Sequence, residues 1–373
     1  MWDENGRETM TDETADLDLL LAAIPAAEGA RALFVDAAVH PALAAWRGRI
    51  DCVQPWKPSA DALVKQGLRV VSAPEGPYDA AFVRLQRQRE RHLGDLARAL
   101  GALRPGGKIA ICGPNAMGGG RLAGDLAAMG VAGTASSKRK CRLVVAARPA
   151  GLDLSKWIAL DAPRHVSAIG ASSAPGLFAW DRLDPGSALL LDLLPKLSGK
   201  VADLGAGWGA LARRLGGSID AYEADTRALD CLRANAPAAN AIWHDVTAGL
   251  TGGPYDALVS NLPFHDPRGE NRALAEKFAR VAQAALAPGG RFYAVANVHL
   301  PYEKTLDAVF GRVERLGERD GYKVFEAYAA ATKEPSAPAS APGKSSTPKS
   351  RARSTGPANA TLSMRERSKP KRA

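Results

Sequence analysis

KVADLGAGWGALARRL, residues 200–215, reads as an apolar strand, Lys200–Leu204, running into Gly205-Ala-Gly207-Trp-Gly209 and then a helix over Ala210–Leu215. Glycines at such a junction accept positive φ and let backbone N–H groups approach a ligand closely where the helix begins. This spacing alone leaves several nucleotide-like ligands open, because dinucleotide-binding sites use a near relative of it. The next strand, Ser218–Glu223, ends in an acid roughly 20 residues on, suited to gripping a ribose diol. The strand Ala241–Trp243 ends in His244-Asp245, where a carboxylate can accept from an adenine amino group. Each acid also has a plain reading as a strand-end or helix-capping carboxylate, and for Asp225 capping is the expected role.

Working outward, the same arrangement occurs twice. LDLLLAAIPAAEGARALFVDAA (17–38) parallels SALLLDLLPKLSGKVADLGAG (187–207), and YDAAFVRL (78–85) parallels YDALVSNL (255–262). LRPGGKIAICGPN (103–115) parallels LAPGGRFYAVANV (286–298), and CRLVVAA (141–147) parallels YKVFEAY (322–328). Four blocks in the same order point to duplication of one α/β unit. Apolar strands alternate with helical stretches such as Leu93–Leu103 and Arg272–Leu286, which predicts two doubly wound sheets joined by a Pro-, Gly- and Ser-containing segment over residues 151–185. The copies differ at their strand ends. Where the second has its glycine loop, the first has Asp36-Ala-Ala-Val-His40; where the second has Ser260-Asn-Leu-Pro-Phe-His265, the first has Val83-Arg-Leu-Gln-Arg-Gln88.

The strand Tyr255–Ser260 delivers Asn261-Leu262-Pro263-Phe264 to the carboxyl edge of its sheet, where open α/β sheets bind ligands. These residue types suit the orientation of a planar amine. The lone pair of an exocyclic NH₂ is delocalised into its ring, so it needs orientation before it can attack. An Asn oxygen and a nearby backbone carbonyl can each accept one N–H and turn the lone pair toward an electrophile. Proline fixes the turn, and Phe264 offers a stacking face worth roughly 1–3 kcal/mol per base.

The glycine loop and its acids resemble motif I and its successors in class I S-adenosylmethionine-dependent methyltransferases. Asn261–Phe264 resembles the [N/D]-P-P-[F/Y] motif of those that modify NH₂ nitrogens. Pro175-Gly-Leu-Phe178, Leu183-Asp184-Pro-Gly-Ser187, His265-Asp266, Ala296-Asn297-Val-His-Leu300-Pro301-Tyr302 and Gly321-Tyr-Lys-Val324, beside a degenerate duplicate, resemble the bacterial ribosomal RNA guanine-N2 methyltransferases of the small-subunit, 16S type. The resemblance covers about 150 residues of the second half closely and the first half in arrangement.

It implies two tandem Rossmann-like domains, the first degenerate, with residues 1–150 as an RNA-binding or scaffold domain, 151–330 catalytic and 331–373 a disordered basic tail. Asp203, Gly205 and Gly207 would line the methionine end of S-adenosylmethionine, Glu223 its ribose and Asp245 its adenine, with Asn261 adjoining it. Asn261, Leu262, Pro263 and Phe264 would carry catalysis on a guanine of ribosomal RNA or of the small ribosomal subunit. Leu262 departs from the usual proline: it keeps the backbone carbonyl, admits more flexibility, and also resembles the Asn-Leu-Pro-Tyr form of ribosomal RNA adenine-N6 dimethylases. Those enzymes add a helical domain where this chain passes into its tail. Adenine N6, a protein glutamine amide, or non-catalytic RNA binding are the alternative readings. Phe178 reads as a cofactor cover or a buried linker aromatic, and Asn297 as a turn former.

The composition fits this partner. The chain of 373 residues carries a formal net charge of +10, of which residues 1–30 contribute −7, 31–330 contribute +9 and 331–373 contribute +8. Arg84, Arg87, Arg89 and Arg91 replace the first copy's catalytic loop, and Lys138-Arg139-Lys140 with Arg142 form a second cluster; both read as an RNA-backbone grip or as solvated surface. The tail (KEPSAPASAPGKSSTPKSRARSTGPANATLSMRERSKPKRA) lacks large apolar residues, which predicts disorder and either a solubilising or an RNA-engaging role. Cys52, Cys112, Cys141 and Cys231 show no paired spacing, which argues against a metal site or disulfide framework and for a reducing cytoplasm. The acidic N-terminus and the lack of a spanning apolar run predict neither a signal peptide nor a membrane segment, and a monomer is expected.

Overall fold

The computed structural model describes residues 14–263, 270–300 and 302–329. The tail, Phe264 and His265-Asp266 lie outside the described residues.

The first half supplies β1 (Ala32–Val35), β2 (Ile50–Val53), β3 (Arg69–Val71), β4 (Tyr78–Arg84), β5 (Leu103–Pro114), β6 (Gly133–Lys138) and β7 (Cys141–Ala147). They form one sheet in the order β3-β2-β1-β4-β5-β7-β6, parallel except for β7, which runs antiparallel to both neighbours. A hairpin of β8 (Arg164–Val166) and β9 (Ala171–Ser173), preceded by a short helix Ser155–Ile158, occupies the connecting segment. The second half repeats the sheet with β10 (Lys200–Leu204), β11 (Ser218–Glu223), β12 (Asn240–Trp243), β13 (Tyr255–Asn261), β14 (Leu286–Asn297), β15 (Val313–Arg319) and β16 (Tyr322–Tyr328). Its order, β12-β11-β10-β13-β14-β16-β15, is the same topology.

Both faces of each sheet are covered, which is why the strands read as near-continuous apolar runs. In the first sheet, Leu33, Val35, Val83 and Ile111 pack beneath the helix Arg89–Ala102. Their alternates Phe34, Cys52, Phe82 and Ala110 pack on the other face with Leu20 and Leu21. In the second, Leu204, Leu258, Phe292 and Ala294 face Phe278 and Ala282, while Val201, Val259, Tyr293 and Val295 face Leu189 and Leu190. All four cysteines are free and buried.

The register is duplicated as well. Ala32 sits between Ile50 and Ala80 as Val201 sits between Ile219 and Ala257. Tyr78 donates to Asp51 at 2.7 Å, and Tyr255 donates to Asp220 at 2.7 Å. Asp79 accepts from Arg31 N at 2.7 Å, and Asp256 from Lys200 N at 2.7 Å.

Both sheets lie in one compact unit, so the division into 1–150 and 151–330 is kept as a proposed division by repeat. The halves join where the two segments following β2 and β11 meet. Lys57 N donates to Ala224 O at 2.8 Å, Thr226 N to Pro55 O at 3.1 Å, and the Trp243 indole to both Pro55 O and Ala224 O. Among the described residues no helix is long and apolar enough to cross a membrane.

Candidate functional site

The carboxyl ends of β10, β11 and β13 converge beside the glycine loop. Gly205, Gly207 and Gly209 all have positive φ, at 76°, 56° and 89°. A Cβ at Gly207 would meet nothing within 4 Å and one at Gly205 only the Phe278 ring at 3.8 Å, so these two line open space. Gly209 instead packs against Leu232, where a Cβ would come within 2.9 Å of a methyl group. The helix expected over Ala210–Leu215 shrinks to a single 3₁₀ turn, Ala212–Arg214, because three left-handed glycines precede it and Gly216-Gly217 follow.

Asp203 is fully buried beneath this loop. Its Oδ2 accepts from Ala212 N at 3.1 Å, and its Oδ1 is buried without a partner. Burial, with Glu223 nearby, pushes the Asp203 carboxyl up to about 7. Glu223 accepts from Gly207 N at 2.6 Å and from Asp225 N at 2.8 Å, bracing the glycine loop against the segment after β11; burial raises its carboxyl too. Asp225 caps the helix Thr226–Asn235 through Arg227 N, as its position predicted. Asp245 engages Thr247 with both oxygens, at 2.9 Å each, so its capping role is filled and an adenine would share a carboxylate already bonded.

Asn261 ends β13. Its neighbour Ser260 donates to Leu204 O at 2.8 Å, which ties the two strand ends together. The Asn261 amide nitrogen donates to Asp184 Oδ2 at 2.8 Å and to Ser187 Oγ at 2.9 Å, leaving its Oδ1 buried and unpartnered. Buried polar atoms in native folds rarely lack partners, so an orphaned oxygen at the end of each of two adjacent strands, beside the glycine loop, marks a place for donors. Leu262 does not loosen the turn. Its N–H bonds Val295 O at 3.0 Å, a bond proline cannot make, and its side chain lies in the core. Tyr302 donates to Pro263 O at 3.1 Å and holds the turn from the other side.

Asp184, Ser187, Ser260 and Tyr302 carried no assigned role in the sequence. Asp184-Pro-Gly-Ser signals a helix cap, but nothing local says that the cap also binds a residue 77 positions away. Phe178 is 51% exposed rather than buried, and Asn297 forms a turn by accepting from His299 N.

The basic residues of the first half are distributed differently. Arg84 bonds Asp16 at 3.3 Å and lies 3.8 Å from Asp36, Arg89 pairs with Asp125 at 2.7 Å, and Arg139 pairs with Asp18 at 2.8 Å. Arg87, Lys138 and Lys140 are exposed.

Residues 169–326 match the methyltransferase small domain family. The ribosomal RNA small subunit methyltransferase C of Chromohalobacter salexigens is 35% identical over 242 residues, covering 61% of this chain and 71% of the relative. That of Pseudomonas aeruginosa is 34% identical over 270 residues, covering 68% and 80%. The chain belongs to the ribosomal RNA small subunit methyltransferase C family. Among solved structures of this family, the T. thermophilus 16S rRNA N2 G1207 methyltransferase, in complex with AdoMet and guanosine, aligns with a TM-score of 0.70 and 26% identity. The alignment covers 85% of this chain and 92% of that one, so it spans both repeats.

Proposed function

We propose that this chain transfers the methyl group of S-adenosylmethionine to the exocyclic N2 amine of a guanine in small-subunit ribosomal RNA. The observation that carries the reading is Asn261 Oδ1, a buried acceptor without a partner at the strand end beside an open glycine loop. Membership of the family, and the substrate named for its T. thermophilus member, support guanine over adenine.

The residues present fit the methyl donor. Open space over Gly205 and Gly207, the free oxygen of Asp203 and the strand-end Glu223 suit its methionine and ribose parts, with Asp245 nearest the adenine position. When bound, S-adenosylmethionine supplies an activated sulfonium methyl, so the protein's task is placement. Asn261 Oδ1 accepts one N–H of the guanine amine and the backbone carbonyl of Leu262 the other, which turns the nitrogen lone pair toward the methyl group. No strong base is required beforehand, because the alkylated amine loses its proton readily to water. Leu262 and Pro263 hold the turn, and Phe264, next in the chain, supplies the stacking face.

Exposed Arg87, Lys138 and Lys140 are the candidates for phosphate contact. Arg84, Arg89 and Arg139 already pair with Asp16, Asp125 and Asp18 and would have to exchange those acids for phosphate to join them. The cytoplasm and a monomeric state remain our expectation for this enzyme. Labelled S-adenosylmethionine and undermethylated small ribosomal subunits, followed by nucleoside analysis, test the proposal. N2-methylguanosine is expected; N6-methyladenosine, or label confined to protein, would overturn it.

A further inference from the structure

We propose that Asp184 and Ser187 are a positioning pair that locks the Asn261 amide with its carbonyl oxygen toward the substrate and strengthens that oxygen as an acceptor. The inference rests on the role of Asn261 given above and explains why only one edge of its amide is presented.

Asp184 is the N-cap of the helix Pro185–Leu193, its Oδ2 accepting from Ser187 N at 2.9 Å. The same oxygen accepts one hydrogen of the Asn261 amide at 2.8 Å, and Ser187 Oγ accepts at 2.9 Å from the same nitrogen. Both side chains are buried. An Asn amide can turn over and exchange its oxygen for its nitrogen, and only its surroundings decide between the two. Here the flipped amide would press its oxygen against a buried carboxylate, two acceptors with no hydrogen between them, which is strongly unfavourable away from water. The orientation is therefore fixed before substrate arrives.

The charge adds a second effect. A carboxylate accepting from the amide nitrogen draws electron density toward the amide oxygen, so Oδ1 becomes a better acceptor for the guanine amine. Tyr322 lies 3.4 Å from Asp184 Oδ1, on the carboxylate's other side.

The first half supplies an independent comparison. Arg84 holds the place of Asn261 at the end of β4 and bonds Asp16, in the first turn of the helix Ala15–Ala22. The link between strand end and helix start is thus present in both repeats. Only in the second does it end in a side chain with an acceptor left to offer, since a guanidinium has none.

The test is a double-mutant cycle on the full chain with undermethylated small subunits, reading kcat, the KM for S-adenosylmethionine, and the identity of the methylated nucleoside. Asp184→Ser keeps a capping side chain but removes the carboxylate, and melting and S-adenosylmethionine binding confirm that the variant is folded. Its kcat is expected to fall about 10- to 100-fold while the KM for S-adenosylmethionine stays within roughly threefold. Asp184→Asn, which can keep an acceptor oxygen in the same place but not the charge, should recover the part of the loss that orientation carries and leave kcat below wild type. Ser187→Ala, which removes one acceptor and leaves the cap, should cost roughly 3- to 10-fold and serves if Asp184→Ser does not fold.

In an Asn261→Ala background neither substitution should lower kcat further, because the residue they act through is gone. A loss of the same factor in that background, or one confined to KM for S-adenosylmethionine, would overturn the proposal. If the wild-type chain makes no N2-methylguanosine, the reading of function fails and this one with it. If it does and the losses multiply, only the positioning role fails.

Discussion

The two repeats share a scaffold and differ at the ends of their strands. Gln54 occupies the place of Glu223, and its Oε1 accepts from Trp56 N at 2.9 Å just as Glu223 Oε1 accepts from Asp225 N at 2.8 Å. Yet the other end of Gln54 donates to Ala37 O at 2.6 Å, where Glu223 accepts from Gly207 N. Both side chains are bonded internally, but the carboxylate keeps lone pairs with which to accept from a ribose, whereas the amide accepts one bond and uses its nitrogen as a donor. Asp36 stands where Gly205 does, with φ of 55°, and faces Arg84 and Arg91 instead of open space. The lesson is that the bonds that join strands occur in both copies, while the open glycine loop and its unpartnered strand-end oxygens occur in the second.

The largest effect that should separate the repeats is catalytic. Asn261→Ala is expected to lower kcat on the order of 10³-fold, about 4 kcal/mol, with S-adenosylmethionine binding nearly unchanged. Single-turnover kinetics on small subunits check this. Activity near that of wild type would remove Asn261 from the mechanism and with it the main distinction between the halves.

Next comes Asp203, whose counterpart in the first repeat is the apolar Phe34. An unfolded Asp titrates near 4, whereas burial and Glu223 push the folded carboxyl up to about 7. Between those values the unfolded chain releases its proton first, so wild-type stability falls as pH rises through that window and stays lower above it. Asp203→Asn should therefore stabilise the ligand-free protein by about 4 kcal/mol at pH 8 and by almost nothing below pH 4. Denaturant unfolding across pH measures the difference, and a gain that does not depend on pH would contradict it.

Much of this architecture was legible in the sequence. Strands such as Lys200–Leu204 and Ser218–Glu223 occur with the expected bounds, because apolar runs buried on both faces leave an unambiguous pattern. The four repeated blocks gave the duplication because sheet order and register follow from them. What was not legible is contact between residues remote in sequence: Asn261 with Asp184, Arg84 with Asp16, and Pro55 with Trp243. The tied N–H of Leu262 was equally hidden, since a departure from a motif does not reveal which partner its freed donor finds. The two basic clusters of the first half read as free charge for the same reason: composition shows charge but not the acids that meet it, such as Asp16, Asp125 and Asp18.

The smallest effects should be equal in the two halves. Tyr78→Phe and Tyr255→Phe each remove a bond to a buried or half-buried acid in matching positions, and each should cost about 1–2 kcal/mol. Neither should change S-adenosylmethionine affinity once folding is restored by mild conditions. Matched melts check this, and a large inequality would mean that the shared scaffold bears unequal loads.

Equilibrium titration of the full chain with S-adenosylmethionine tests the central claim, one scaffold used twice with one site kept, most directly. The account predicts one molecule bound per chain, roughly tenfold weaker binding or worse for Glu223→Gln, and no change for Gln54→Glu. Two molecules bound per chain, or binding that follows Gln54 rather than Glu223, would contradict it.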